Sequence, residues 1–339
     1  MIHSGQPAVS FLTPTLNSER SLSACLRSIV RQNYPPNKVE LIVADGGSTD
    51  RTLKIARKFG AKIIPNPLKT GEAGKAAALS FAKGELVALV DSDNILPSRN
   101  WLKKMTAPFA DPEIVGSEPW LFTYRKRDNF INRYCALIGM NDPYCYFVGN
   151  YDKYSLLSRR WTGLKLDQEN RFGYFKIKVT GKILPTIGAN GTVWRTNVLR
   201  DAVGDDQHLF DTDIPYRLSR AKPFYFAKVK TGIIHLYCRS LGDFCRKQKR
   251  RVCDFLSLEQ SRKRTSSYQK QPVKQVKFAL ASITVLPLFF QSIKGFSRKA
   301  DMVWFFHPFA CWITLWLYSS QYLLAKFIKM NVNRDNWRQ

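Results

Sequence analysis

Glu85-Leu86-Val87-Ala88-Leu89-Val90-Asp91-Ser92-Asp93 is the stretch around which the chain is organised. Its first part is an apolar run with β-branched residues, the pattern of a buried strand in a parallel sheet. It stops on two carboxylates two residues apart, and Asn94 and Pro97 follow as loop signals. In open α/β sheets the ligand crevice lies outside the carboxyl ends of the strands. Acid-x-acid at that point offers hard oxygen ligands to a divalent cation, which would in turn hold a diphosphate. Asp and Ser are also ordinary turn residues, so the residues upstream must supply the weight.

Residues 8–12 read as a first strand, ending at Thr13-Pro14-Thr15. A helix follows from about Glu19, with Asn17 or Ser18 as its cap and Leu22, Cys25, Leu26 and Ile29 on one face. Val39 to Ala44 form a second strand that runs into Asp45-Gly46-Gly47-Ser48-Thr49-Asp50. There the glycines allow close backbone approach to a ligand, and Ser48 or Thr49 is placed to cap the next helix. A short strand from Ala61 to Ile64 and a helix through Gly74 to Lys83 lead into the acid-x-acid strand. This alternation specifies a doubly wound, mostly parallel sheet. Asp45 and Asp91 then share one rim. The glycine loop fits neither GxGxxG nor GxxxxGK[ST], against a dinucleotide fold or a P-loop NTPase.

The 339 residues suffice for about two domains. Lys and Arg number 53 against 26 Asp and Glu, a formal charge of +27, which calls for an anionic partner. A hydrophobic content of 45% excludes a disordered basic tail as the main component. Seven scattered cysteines form no CxxC pair, so reduced thiols and a cytosol-facing protein are expected. Met1 to Pro7 lack the pattern of a signal peptide.

Thr13-Pro14-Thr15-Leu16-Asn17-Ser18-Glu19, Asp45 to Asp50, Gly71 to Lys75 and Asp91-Ser92-Asp93 together resemble the family 2 glycosyltransferases of the GT-A fold. The resemblance covers about the first hundred residues, with the motifs in the right order and spacing. It implies that Asp45 contacts the nucleotide base, that Asp91 contacts the ribose, and that Asp93 binds Mg²⁺ or Mn²⁺. Thr13, Pro14, Thr15, Glu19 and Ser92 would line the nucleotide pocket. Lys75 sits where the family often turns a polar or basic residue to the nucleotide; a solvated helix lysine is the other reading.

Pro97-Ser98 opens a helix carrying Trp101, Leu102, Met105 and Phe109, and residues 141–180 read as acceptor-side loops and short strands. Asn190-Gly191 resembles the family's turn before the acceptor site, though a plain hairpin turn fits equally. Phe210-Asp211-Thr212-Asp213-Ile214 falls where the family carries Glu-Asp-x-Asp-Leu. By that alignment Asp211 takes the acceptor's proton with Asp213 in support. Phe210 replaces the usual Glu, an apolar neighbour that would raise the base's pKa, and Asp205 and Asp206 are the fallback candidates. His235 is a candidate for the diphosphate side. A Gln-x-x-Arg-Trp motif is missing after Asp211, which favours single transfer.

After His235 the chain turns basic: Arg239, Arg246, Lys247, Lys249, Arg250, Arg251, then Arg262, Lys263 and Arg264. Aromatic residues are sparse there, so a nucleic-acid partner is not expected. Phe278 to Ile293 is nearly uncharged, and Met302 to Ala325 lacks any Asp, Glu, Lys or Arg. The longer run meets the length of a bilayer span; the shorter reads as a tight span, a re-entrant segment or a helix in the interface. A span pair would place Lys294, Arg298 and Lys299 outside, so attachment is the firmer expectation.

The expected layout is therefore a GT-A-like domain over 1–236, with a nucleotide-binding half at 8–95 and an acceptor half at 96–236. A basic amphipathic juxtamembrane segment at 237–277 and C-terminal membrane-associated helices at 278–330 follow. The expected activity is metal-dependent inverting transfer from a UDP-, GDP- or dTDP-linked sugar to a lipid or glycan acceptor at the cytosolic face of an anionic membrane. A lipid-linked sugar is the favoured acceptor and polyprenyl phosphate the alternative. A nucleotidyltransferase would need a glycine-rich basic loop after strand one, where Thr13-Pro14-Thr15 stands. A non-catalytic basic binding protein would leave the ordered acidic motifs unexplained.

Overall fold

The computed structural model describes residues 5–260 and 271–328. The chain divides into two compact units: one holds the residues up to Thr123 and Lys165–His235, the other Tyr124–Leu164 and the chain from Leu236. The layout differs from the one expected. The segment after Thr123 groups with the C-terminal helices instead of an acceptor half.

The first unit begins with β1 (Val9–Thr15), α1 (Glu19–Val30), β2 (Val39–Asp45), α2 (Thr52–Lys58), β3 (Lys62–Pro65), α3 (Gly71–Phe81) and β4 (Leu86–Leu89). It continues through β5 (Asn94–Ile95), α4 (Trp101–Thr106) and β6 (Ile114–Phe122). In the second unit come α5 (Phe130–Ile138) and α6 (Tyr144–Val148). The first unit then resumes with β7 (Asp167–Arg171), β8 (Tyr174–Val179), β9 (Thr192–Arg195), α7 (Thr196–Val203), α8 (Ile214–Ala221) and β10 (Phe224–His235). The last four helices, α9 (Leu241–Gln260), α10 (Pro272–Thr284), α11 (Leu286–Arg298) and α12 (His307–Leu324), complete the second unit.

One sheet runs β3-β2-β1-β4-β9-β6-β10-β8-β7, with β5 pairing off β10. Its first four strands are parallel, as the strand–helix alternation requires. Beyond β4 the pairing changes. β9 lies antiparallel between β4 and β6, and β8 runs antiparallel to β10 and β7. The expected mostly parallel sheet is thus parallel only in its first part and mixed beyond. Between β6 and β10 only β7 and β8 are joined by a hairpin-length turn, which imposes an antiparallel pair; β9 takes its place through pairing with strands distant in the chain.

β1 is buried along its whole length and β4 likewise, which is why both read as unbroken apolar runs. α1 buries Leu22, Cys25, Leu26 and Ile29, its period-3.6 stripe. α2 starts at Thr52, beyond both expected caps: Asp50, not Ser48 or Thr49, accepts from the Thr52 amide at 2.9 Å. Gly74 lets α3 approach the strands, because a Cβ there would lie 2.8 Å from Pro14 Cβ and 2.9 Å from Asn66 Nδ2. Trp101 is fully buried and donates through Nε1 to the Gly232 carbonyl.

The run expected to span, 302–325, is not one continuous helix. Residues 302–306 are a 3-10 turn, and α12 begins at His307 with Pro308 in its first turn. Among the described residues no single helix is long and apolar enough to cross a membrane; α10 and α11, bent by 87°, pass that test only as a pair. Arg262, Lys263 and Arg264 lie outside the described residues.

Candidate active site

The carboxyl ends of β1, β2 and β4 bring the sequence motifs to one rim. Thr15 stands in register with Asp45, and Val90, one residue past β4, donates its amide to the Leu12 carbonyl. The Asp45 carboxylate accepts from Thr15 Oγ1, Ser48 Oγ and the amides of Gly47 and Ser48. That fills about four acceptor positions, so the hydroxyls must turn aside for this carboxylate to take a further donor. An open cleft of about 450 Å³ lies beside it, lined by Gly46, Gly47, Leu53, Ile63, Asn66 and Lys69 among others. Gly47 takes φ +88°, a turn that a side chain would strain.

Asn66 is a residue the sequence reading missed. It is buried, its Nδ2 donates to the Thr70 carbonyl, and its Oδ1 has no partner among the described residues. An acceptor left open at a cleft wall matches the donor groups of a nucleobase. Its only signal in the sequence is its position just past β3. Glu19, by contrast, turns outward: its carboxylate takes the amide and Nε of Arg51, which leaves it stabilising the loop before α2.

Lys75 is the organising cation of the rim. It is buried in α3, with Nζ 3.0 Å from Asp211 Oδ2 and 3.7 Å from Asp91 Oδ1. Burial opposes its charge, but Asp211, Asp91 and Glu72 outweigh that and hold it protonated. Burial also pushes the Asp211 carboxyl up to about 6, against the pull of Lys75 and with help from Asp91. The same burial raises Asp91, opposed by Lys75 and aided by Asp93. Among the described residues, the Oδ1 atoms of both Asp91 and Asp211 are buried without a hydrogen-bond partner.

The loop carrying Asp211 is tied to α3 by the Leu209 amide, which donates to the Glu72 carbonyl at 3.0 Å. Asp213 is buried at the N-terminal boundary of α8, and Phe210 stacks on His208. The fallback candidates stand elsewhere: Asp205 is exposed, and Asp206 is engaged by Arg217.

Asp93 Oδ2 lies 3.5 Å from His235 Nε2, because β5 pairs with the end of β10. Asn94 is fully buried, donates to Asn190 Oδ1 at 3.1 Å and leaves its own Oδ1 unpartnered among the described residues. Gly191 holds φ +79° and sits against Trp101, so the Asn190-Gly191 turn is pinned beside the acid-x-acid loop. Ser92 reaches back to Ser18, and Thr13 Oγ1 is buried without a partner among the described residues.

Among the described residues no three His, Cys, Asp or Glu side chains cluster as a ready-made metal cage. The pair Asp93 and His235 fits a different kind of site. Small divalent cations are commonly held by one or two protein ligands and completed by substrate phosphates and water. The open Oδ1 of Asn94 and of Asp91 add oxygen donors at the same loop.

Residues 10–184, just over half of the chain, match the family described as glycosyl transferase family 2. The chain belongs to that family. Among its curated relatives is glycosyltransferase AglE of Haloferax volcanii, 28% identical over 142 residues, which are 40% of this chain and 46% of the relative. A second is the UDP-Glc:alpha-D-GlcNAc-diphosphoundecaprenol beta-1,3-glucosyltransferase WfgD of Escherichia coli, 35% identical over 91 residues, 26% of this chain and 35% of the relative. This family 2 chain therefore spans less than half the length of either relative. Its fold is shared with a mannosyltransferase from Pyrobaculum calidifontis solved with GDP-Man and Mn²⁺, at a TM-score of 0.56 and 16% identity, over 95% of this chain and 89% of that one.

Proposed function

We propose that this protein transfers a sugar, with inversion, from a nucleoside-diphosphate sugar to a lipid-linked sugar at the cytosolic face of a membrane. One observation carries the reading: Asp211 is brought through Lys75 to the rim that also holds Asp91, from 120 positions further along the chain. A carboxylate held at the donor rim suits a base for an attacking hydroxyl.

Asp45 and Asn66 bound the cleft that would take the base, and Asp91 would meet the ribose. Asp93 and His235 would hold Mg²⁺ or Mn²⁺, which when bound offsets the charge of the diphosphate. As the acceptor oxygen bonds to the anomeric carbon, Asp211 takes its proton. The bond from that carbon to the diphosphate breaks, and the electron pair leaves with the diphosphate. Lys75 keeps Asp211 ionised at neutral pH and aimed at the rim.

The acceptor class draws on three supports. WfgD by its name acts on a diphosphoundecaprenol-linked sugar; the chain carries a charge of +27; its seven cysteines are scattered and form no CxxC pair, the usage of a reducing compartment. A second reading, transfer to a polyprenyl phosphate, is favoured by the Lys75 ammonium beside Asp211, since an anionic acceptor needs a cation more than a base.

The experiment is sugar transfer from labelled UDP-, GDP- and dTDP-sugars to a diphosphoundecaprenol-linked sugar and to a polyprenyl phosphate. Transfer to the first, lost in Asp211→Asn, supports the main reading. Transfer to the second with Asp211→Asn nearly intact selects the alternative. Neither transfer nor donor hydrolysis with any sugar overturns both.

A further inference from the structure

The last three helices are packed inside out. In a helix on the surface of a water-soluble protein the apolar stripe faces the core and polar residues face solvent. Here, beside Phe278 on α10 and Leu288 on α11, the positions turned inward are mostly small or polar: Ala281 and Ser282 on α10, Ser292 and Gly295 on α11, Ala310, Cys311 and Thr314 on α12. Gly295 is packed so closely that a Cβ would fall 2.3 Å from the Trp304 ring. The positions turned outward are large and apolar, with Ile283 68%, Phe290 62%, Phe309 66% and Trp316 64% exposed. Small residues at helix contacts with apolar residues outside is the packing used in lipid. An exposed apolar surface on this scale marks an interaction site.

No single described helix is long and apolar enough to span a membrane. The helices α10 and α11 have 13 residues each, roughly 20 Å apiece, and turn through 87°. A hydrocarbon core is about 30 Å thick. The turn is built into the backbone: Val285 takes φ +59°, a conformation rare for a β-branched residue, and Pro287 follows. One outward face of this bent pair carries Phe289, Phe290, Ile293 and Phe296.

Charge selects the occupant. Asp301 is the sole acidic residue from Pro272 to Ile328, and it is buried, taken by Tyr124 and Arg133. Lys277, Lys294, Lys299 and Lys326 are exposed on the same stretch. An apolar face bordered by lysines and free of exposed carboxylates complements an anionic lipid surface.

We infer that α10, α11 and α12 seat the protein in one leaflet of an anionic bilayer, as a bent wedge lying in the interface and not as a transmembrane span. The inference deepens the membrane attachment proposed above.

The test uses the full chain and vesicles of phosphatidylcholine with or without phosphatidylglycerol, followed by flotation. Binding is expected to the anionic vesicles and to weaken in high salt. Lipids brominated near the headgroup should quench the tryptophan fluorescence more than lipids brominated at the chain ends. Replacing Trp312 and Trp316 by Phe should remove the quenching and leave flotation intact. Phe289→Gln with Phe290→Gln should lower partitioning about tenfold or more. Both pairs are on the surface, and nucleotide-sugar binding measured without lipid reports their folding. Loss of that binding in the parent sinks the transferase reading alone. Absence of flotation by a donor-binding parent overturns the wedge. So does strongest quenching from the chain ends, or a dimer in solution that the Phe289/Phe290 variant dissociates.

Discussion

Lys75 Nζ and Asp211 Oδ2 are 3.0 Å apart although 136 residues separate them in the chain. The pair joins α3, which borders the parallel half of the sheet, to the loop before α8. Removing one partner of a buried pair leaves the other charge uncompensated. Lys75→Met should therefore destabilise by about 3 kcal/mol at neutral pH, measured by chemical denaturation. The penalty should shrink in acid. Asp211 has a raised folded pKa, so the stability tied to its protonated form is present at low pH and lost as pH climbs to about 6. Without the lysine that window moves higher, so the deficit is larger at pH 7 than at pH 5. Lys75→Met with Asp211→Asn should recover part of the loss.

Asp211→Asn should lower kcat about 10²- to 10⁴-fold on a hydroxyl acceptor, with donor binding preserved. In the parent, kcat/KM should rise with pH up to about 6 and level off above it, since only the ionised carboxylate accepts a proton. A pH profile of initial rates checks this. A profile that is flat from pH 5 to 8 would remove Asp211 from the proton-transfer step.

Gly74→Ala should cost about 1–3 kcal/mol by overpacking and weaken donor binding. The added methyl meets Pro14 and Asn66, which stand at the rim proposed to take the nucleotide. Melting temperature and donor affinity, measured on one preparation, should fall together.

The parallel half of the sheet was legible because its signals are local. Apolar runs ending on Asp45 and on Asp91 mark strand ends whatever the rest of the chain does, and α1 shows its stripe in four residues. Asp211 was reached by motif alignment, and only its docking through Leu209 onto α3 explains why Asp211 and not Asp205 meets Lys75. Lys75 itself read equally well as a solvated lysine, because burial depends on contacts far along the chain. The antiparallel insertion of β9 was hidden for the same reason: Thr192–Arg195 is four residues long and takes its place from β4 and β6. Apolar content alone suggested a span over 302–325. Pro308 and the inward-facing His307 and Thr314 instead make it a turn and a packed helix.

His235→Ala should weaken metal-dependent donor binding less than Asp93→Ala does, because the carboxylate brings charge and the imidazole only a lone pair. Titration of Mn²⁺ at fixed nucleotide sugar orders the two variants.

The account rests most directly on the donor site, and calorimetric binding of UDP-, GDP- and dTDP-sugars with and without Mn²⁺, for the parent and Asp93→Ala, tests it. The result predicted is binding of one nucleotide class that requires the metal and disappears in Asp93→Ala. Binding that is indifferent to both the metal and Asp93, or no binding of any nucleotide sugar, would contradict it.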